Sequence, residues 1–146
     1  MNRRNLVICR AGPDSLHPRW LDDASSRNWD LIVSAYHDDT PLTGDEIFVH
    51  RFAGAKMPGL ADLFARHWDI VARYDRVWLP DDDLDADRAT IDRMFDLASH
   101  HGLELFQPAL TQDSFISWVI TLQHAGFALR FTNFIEIMAP AFTTRL

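Results

Sequence analysis

The sequence predicts an α/β fold in which a mainly parallel sheet is sandwiched by helices. Three short and almost continuously apolar runs, at residues 5–9, 29–36 and 77–79, have the composition of strands that are buried on both faces. Two segments, at residues 58–72 and 87–100, carry apolar side chains three and four residues apart. That spacing is typical of amphipathic helices, so strands and helices alternate along the chain.

Glycine, proline and polar residues mark where the other predicted elements begin and end. The Ala-Gly-Pro-Asp sequence at residues 11–14 ends the first strand in a loop. The polar segment that follows, residues 15–28, contains at most a short helix around Trp20. Further short strands are predicted at residues 47–52 and 103–106. The second helix, residues 87–100, closes at His101-Gly102, just before the later of these strands. Residues 127–138 form a last, partly alternating segment that also resembles a strand.

Length and composition set the class of protein. A chain of 146 residues with 47% hydrophobic residues is expected to fold as a single domain over residues 1–146. Its formal charge of −7 argues against binding to nucleic acid and to anionic membrane surfaces. No apolar run approaches the roughly 20 residues of a membrane span, and residues 6–9 are too few for a signal peptide. We therefore expect a cytoplasmic protein.

Cys9 is the single cysteine of the chain, and it lies within the first apolar run. One cysteine excludes an internal disulfide and a cysteine-based zinc site. In such a run a cysteine behaves as a small apolar residue, so we expect Cys9 to lie in the core rather than to act as a nucleophile.

The central feature is an acidic run that follows the strand at residues 77–79. Pro80 stops the strand, and five aspartates come within the next seven residues: Asp81, Asp82, Asp83, Asp85 and Asp87. One interpretation is a solvated helix start, which suits Asp85 or Asp87 as a cap. Three consecutive carboxylates at the end of a buried strand favour a second interpretation, a cation site, because like charges repel one another. Repulsion also predicts that removing Asp81 and Asp83 raises the stability of the metal-free protein slightly.

Asp38 and Asp39 follow another predicted strand, residues 29–36. The carboxyl ends of parallel strands lie at one edge of a sheet, which is where open α/β sheets bind ligands. Neither of the common glycine-rich phosphate loops is present. A bound nucleotide therefore needs acidic residues and a metal ion at this edge.

Three stretches, YDRVWLPDDDL, LELFQPALTQDSFISW and LRFTNFIEIMAP, are similar to the family called domain of unknown function 707. Members of that family resemble glycosyltransferases of the GT-A type. The resemblance implies a GT-A-like fold in which a DxD motif holds Mn²⁺ or Mg²⁺ and the diphosphate of a nucleotide-diphosphate sugar. Asp81 and Asp83 match the two acids of that motif. GT-A enzymes carry an acceptor-binding part beyond the nucleotide half, so a chain that ends at Leu146 implies a compact or truncated version.

Other residues take candidate roles in that hypothesis. Lys56 is expected to pair with a phosphate, and the alternative is a solvated lysine before a helix. Asp38 and Asp39 match, by strand order alone, the acid that contacts the base or ribose. Glu136 is the candidate general base, and Asp113 is the other carboxylate that could serve. The alternatives for Glu136 are a partner for Arg130 and an outward-facing strand position.

Two other functions stay open at this point. A non-catalytic or degenerate nucleotide-sugar binding module needs the same acidic loop as the transferase. A phosphatase of the haloacid dehalogenase type also places DxD after an apolar strand, but on its first strand and with Gly-Thr or similar after the motif. Here Leu84 follows Asp83 and the strand is internal, which favours the transferase-like hypothesis.

Overall fold

The computed structural model describes residues 4–21 and 26–146. Over these ranges the chain forms a six-stranded sheet and two α-helices. In chain order the elements are β1 (Asn5–Ala11), β2 (Trp29–Ala35), β3 (Glu46–Arg51), α1 (Lys56–Val71), β4 (Arg76–Trp78), α2 (Arg88–His100), β5 (Leu105–Phe106) and β6 (Ala141–Thr143).

The strand order in the sheet is β3-β2-β1-β4-β6-β5. β1 pairs in parallel with β2 and β4, and β2 pairs in parallel with β3. β6 runs antiparallel to both β4 and β5. Every residue of β1 is buried, as expected of a central strand that is covered on both faces. The predicted neighbourhood of residues 6–9, 31–35 and 77–79 is confirmed.

The two helices cover opposite faces of the sheet. Leu60 and Leu63 of α1 pack in one core cluster with the β1 residues Leu6 and Ile8. α2 packs in the other cluster, which contains the alternate residues of β1 together with Trp20, Trp29 and Trp78. Successive strand residues point to opposite faces, so one apolar strand supplies both cores. The predicted α/β sandwich with a mainly parallel sheet is confirmed.

The segment between β5 and β6 differs from the prediction. Residues 127–138 contain no strand, and several of their apolar side chains, including Phe127 and Phe131, are exposed. The alternation therefore did not correspond to a buried face. The predicted strand at residues 103–106 is shorter, Leu105–Phe106, and β6 was not predicted because its three residues form no run.

The remaining local predictions have mixed outcomes. A 3-10 turn forms at His17–Leu21, around Trp20, and residues 22–25 of the predicted polar segment lie outside the described residues. Asp87 is the N-cap of α2 and accepts a hydrogen bond from the Thr90 N–H, so the capping interpretation is confirmed for Asp87. None of the helices found in the described ranges is both long and apolar enough to cross a membrane.

Candidate functional site

The carboxyl ends of β1 and β4 lie side by side at one edge of the sheet. From β1 the chain connects to β2 on one side, whereas β4 lies on the other side of β1. The junction of β1 and β4 is thus a topological switch point, where the loops diverge and leave a crevice. The loop after β4 carries Asp81, Asp82 and Asp83, which we call the acidic loop.

Asp82 ties the acidic loop to the loop after β1. Its carboxylate Oδ2 accepts hydrogen bonds from the Gly12 N–H at 2.8 Å and from the Tyr36 hydroxyl at 3.2 Å. Its backbone carbonyl accepts another from the Leu16 N–H at 2.7 Å. The Tyr36 ring lies so close to Gly12 that a Cβ there would be 2.3 Å from the ring, so a side chain at this position would displace Tyr36. Partial burial and the Asp82 carboxylate raise the pKa of the Tyr36 hydroxyl.

Asp81 is held from the opposite side by Lys56, the first residue of α1. The Lys56 ammonium donates to Asp81 Oδ1 at 2.7 Å and to the carbonyls of Ile137 and Met138 at 2.9 and 3.0 Å. These three contacts match the three N–H donors of an ammonium group. The Asp81 N–H donates in turn to the Met138 carbonyl. Lys56 therefore neutralises Asp81 in this structure, and the predicted divalent cation stays a prediction.

Asp83 and the pair after β2 are more open to solvent. Asp83 is exposed, and so are Asp38 and Asp39 in the loop that follows β2. Asp38 lies 3.9 Å from Arg51, and Asp39 lies 3.7 Å from the ring of His37. The fold therefore brings Lys56 and Asp81 together and leaves Asp38 and Asp39 as solvated side chains of the same edge.

Glu136 lies just before the two carbonyls that hold Lys56. Its N–H donates to the side-chain oxygen of Gln107, and its own Oε2 is buried without a hydrogen-bond partner among the described residues. Arg130, the alternative partner, donates instead to the carbonyls of Ile120 and Leu122. Glu136 is therefore a partly buried carboxylate next to the site, and the outward-facing strand position is wrong because no strand forms there.

A buried cation beneath this edge was missed by the sequence prediction, which ended the first strand at Cys9. Arg10 is only 3% exposed, and its guanidinium donates to Ser34 Oγ and to the carbonyls of Phe52 and Gly54. Burial lowers the pKa of the Arg10 guanidinium. Since Gly54 lies two residues before Lys56, Arg10 fixes the loop from which Lys56 reaches Asp81.

Two further features of the sequence bear on this site. Lys56 is the single lysine of the chain, beside thirteen arginines, and this contrast is a signal that composition alone offered. A lysine ammonium is a compact charge on a flexible stem, which suits its three converging contacts here. Cys9 is fully buried, and burial raises the pKa of its thiol, so the predicted core role is confirmed.

No group of three or more histidine, cysteine, aspartate or glutamate side chains in the described ranges is arranged to hold a metal ion. Mg²⁺ is usually bound through one or two carboxylates together with substrate phosphates and waters, rather than in a cage of protein ligands alone. Asp81 and Asp83 supply hard carboxylate oxygens, which is the donor type that such a cation prefers.

Comparison with known proteins gives one finding. The family model described as protein of unknown function (DUF707) matches residues 60–133. A search of curated proteins and a search of solved structures gave no match. The matched range begins in α1, includes β4, the acidic loop and α2, and continues past β5. Because this match spans half of the 146 residues, the chain belongs to the DUF707 family.

Proposed function

We propose that this protein binds a nucleotide-diphosphate sugar together with Mn²⁺ or Mg²⁺ at the acidic loop, as a glycosyltransferase-like protein of the GT-A type. The observation that carries the proposal is the position of the acidic loop. It lies at the carboxyl end of β4, next to the loop after β1, at the switch point of a mainly parallel sheet. Open α/β sheets bind nucleotides in this crevice.

The two sides of the crevice suit different parts of such a ligand. The end of β2 supplies the hydroxyl of Tyr36 and the carboxylates of Asp38 and Asp39, which suit a base and a ribose, beside Gly12 of the loop after β1. The opposite side supplies Asp81, Asp83 and Lys56, which suit a cation and a diphosphate. This division follows the strand order and needs no glycine-rich phosphate loop.

Asp81 and Asp83 would hold the cation, which when bound stabilises the negative charge of the departing diphosphate as a Lewis acid. Lys56 forms an ion pair with Asp81 at 2.7 Å. An acidic loop on a protein of net charge −7 repels a diphosphate, so a positive group must lie between them. Lys56 is placed to serve that purpose once Asp81 binds the cation instead.

Glu136 is our candidate general base for an acceptor hydroxyl. It precedes the carbonyls of Ile137 and Met138, so it lies along the chain next to the Lys56 contacts. Burial of its Oε2 means that a hydroxyl reaches this oxygen only if the residues around it shift. A protein that binds the donor without transferring its sugar keeps the acidic loop but has no use for Glu136.

The test is a thermal-shift and calorimetric screen of nucleoside diphosphates and sugar nucleotides, with and without Mn²⁺. We expect saturable binding that requires the metal and that is abolished in the double variant Asp81→Ala/Asp83→Ala. The matched control is Asp45→Ala/Asp69→Ala, which removes two exposed aspartates from arginine pairs elsewhere on the surface. Equal binding by both double variants would refute the site, and the absence of binding by any sugar nucleotide would refute the function.

Glu136→Gln separates a transferase from a binding module. If the protein transfers or hydrolyses the sugar, this variant should retain nucleotide binding and lose turnover by roughly 10²–10⁴-fold, which is the usual contribution of a general base. Full retention of turnover would exclude Glu136 as the base. If the wild-type protein binds the sugar nucleotide and shows no turnover, the non-catalytic module is the better account.

A further inference from the structure

A second concave region lies between α2 and the irregular segment that follows β5. It encloses about 660 Å³, which is within the range of small-molecule sites. Its apolar walls include Leu97, Leu105, Phe127, Phe131, Phe134 and Ile135. We call this region the apolar groove. It was not predicted, because residues 127–138 were expected to form a strand.

The apolar groove exposes large side chains to water. Leu105 is 52% exposed, Phe127 is 60% exposed and Phe131 is 87% exposed. Clustered exposure of this kind marks a binding surface more often than scattered apolar residues do. Covering these side chains removes apolar surface from water, so a ligand with an apolar body is favoured there.

The charge around the groove is opposite to that of the protein as a whole. Of its formally charged side chains, Arg93 and Arg130 are cationic and Glu104 is acidic, so the lining carries a net positive charge. The whole chain carries a formal charge of −7. A groove with apolar walls and a cationic lining is complementary to a molecule with an apolar body and an anionic end.

An extended peptide is a poor occupant. A peptide that adds to a sheet edge needs a run of free backbone N–H and C=O groups. β5, the edge strand beside the groove, contributes only Leu105–Phe106, and Pro108 soon after it has no N–H to donate. A ligand without backbone requirements fits better.

We propose that the apolar groove binds a single-chain amphiphile with an anionic head, its alkyl tail lying against Leu105, Phe127 and Phe131 and its head beside Arg93 and Arg130. The proposal does not depend on the nucleotide site, because the groove lining contains none of Asp81, Asp83 and Lys56.

The full chain is titrated by calorimetry with dodecyl phosphate below its critical micelle concentration, and we expect saturable binding. Phe131→Ser should weaken binding about ten-fold, because it removes apolar surface that the tail covers. The matched control is Phe115→Ser, a change at a phenylalanine that is 93% exposed and lies outside the lining, and it should leave the affinity unchanged.

The head is tested with charge variants and probes. Arg93→Gln should weaken binding of dodecyl phosphate several-fold and reduce its salt dependence, whereas Arg145→Gln, at an exposed arginine outside the lining, should not. Dodecyltrimethylammonium should bind more weakly, and inorganic phosphate should not bind measurably. Asp81→Ala/Asp83→Ala should bind dodecyl phosphate like the wild type.

Three results would overturn the proposal. One is equal weakening by Phe131→Ser and Phe115→Ser, which would mean non-specific adsorption. Another is equal binding of the cationic and anionic amphiphiles. The third is a dimer in light scattering that Phe131→Ser dissociates, with no saturable binding of dodecyl phosphate, which would identify the groove as an interface between two copies of the chain.

Discussion

Replacing Lys56 by methionine should move two binding constants in opposite directions. Methionine keeps most of the side-chain length and removes the charge and all three donors. In the variant, Mn²⁺ does not have to displace an ammonium group from Asp81, so Mn²⁺ alone should bind more tightly. The complex of Mn²⁺ with a nucleoside diphosphate should bind more weakly, because the cation proposed to face the phosphates is gone.

The magnitude follows from the partial burial of the pair. The Lys56 side chain is 18% exposed and that of Asp81 is 39% exposed. Exposed ion pairs contribute about 0.2–1 kcal/mol, and removing one partner of a buried pair costs about 3–5 kcal/mol. We take about 1 kcal/mol for the Lys56–Asp81 pair, which is intermediate in burial. Mn²⁺ does not have to break that pair in Lys56→Met, so Mn²⁺ alone should bind roughly five-fold more tightly to the variant. A direct contact to phosphate is a charge-assisted hydrogen bond, so the diphosphate complex should weaken by about 1–2 kcal/mol.

The single lysine makes the exchange directly visible. A chain labelled with ¹⁵N-lysine has one side-chain ammonium group, that of Lys56. In the wild type its signal should show a protected ammonium, lose protection when Mg²⁺ is added alone, and regain it when a nucleoside diphosphate is added. This measurement needs no variant, so it stays decisive if Lys56→Met folds poorly.

Arg51→Met is the control for a general change of charge, since Arg51 is an exposed cation that lies 3.9 Å from Asp38 at the same edge of the sheet. It should change both affinities little. The reasoning is refuted if Lys56→Met weakens Mn²⁺ binding, or if the loss for a nucleoside equals that for its diphosphate. Equal loss would mean that Lys56 only supports the fold.

Two further predictions concern stability and are checked by chemical denaturation. Asp87→Ala should cost about 1 kcal/mol because the Thr90 N–H loses its cap, and Asp85→Ala, beside it, should cost less. A result in the reverse order would contradict the assigned cap. Gly59→Ala should cost about 1–3 kcal/mol, because a Cβ would lie 2.5 Å from Cζ of the buried Arg10. An unchanged midpoint would mean that the Arg10 side chain has room to move.

The fold was predictable where one physical cause dominated the local sequence. Burial on both faces produced the apolar runs of β1 and β2, and amphipathic spacing marked α1 and α2. The segment after β5 carries apolar residues with no buried face to match, so its alternation was misleading. Nothing in a three-residue strand such as β6 identifies it without its partner, because its pairing with β4 joins residues far apart in the chain.

The acidic residues of the candidate site were predictable from the sequence, but the residues that contact them were not. The acidic loop was identified because consecutive carboxylates after a buried strand are hard to explain otherwise. Its contacts depend on distant residues: Lys56 is 25 positions from Asp81, and Gly12 is 70 positions from Asp82.

The Lys56 contact reverses the predicted effect of removing Asp81 on the stability of the protein. Removing Asp81 takes away the partner of a partly buried ammonium, so Asp81→Ala should lower stability, whereas repulsion alone predicted a rise.

The loop after β1 adds a pH dependence to this edge of the sheet. His17 is fully buried, with Nδ1 2.6 Å from Ser15 Oγ and Nε2 4.0 Å from the Glu46 carboxylate. Burial lowers the pKa of His17, and the Glu46 charge opposes that shift only in part. The same loop holds the Leu16 N–H that donates to the Asp82 carbonyl. Protonation of His17 therefore disfavours the structure that supports the acidic loop.

The direction of the change in stability with pH follows from proton binding at His17 in the unfolded and folded chains. The unfolded chain binds a proton at His17 near pH 6.5, and the folded chain binds it only at lower pH. The stability from His17 is complete above pH 6.5 and is lost as pH falls through 6.5 towards the folded pKa, by at most about 1.4 kcal/mol per pH unit. The pKa values of Glu46 and Asp62 are also lowered, but from ordinary values of 4.5 and 3.8, so these groups act at more acid pH.

Urea unfolding should therefore show that the free energy of unfolding decreases as the pH is lowered from 7.5 to 5.5. This decrease should be smaller in His17→Gln. His37→Gln, at an exposed histidine, should keep the wild-type slope. An NMR titration of the wild type reads the same property without a variant, and an imidazole of His17 that titrates above pH 6.5 would show that Glu46 outweighs burial. In that case the loop after β1, which holds Asp82, would become more stable as the pH falls. The affinity of the acidic loop for its ligand should then increase as the pH falls.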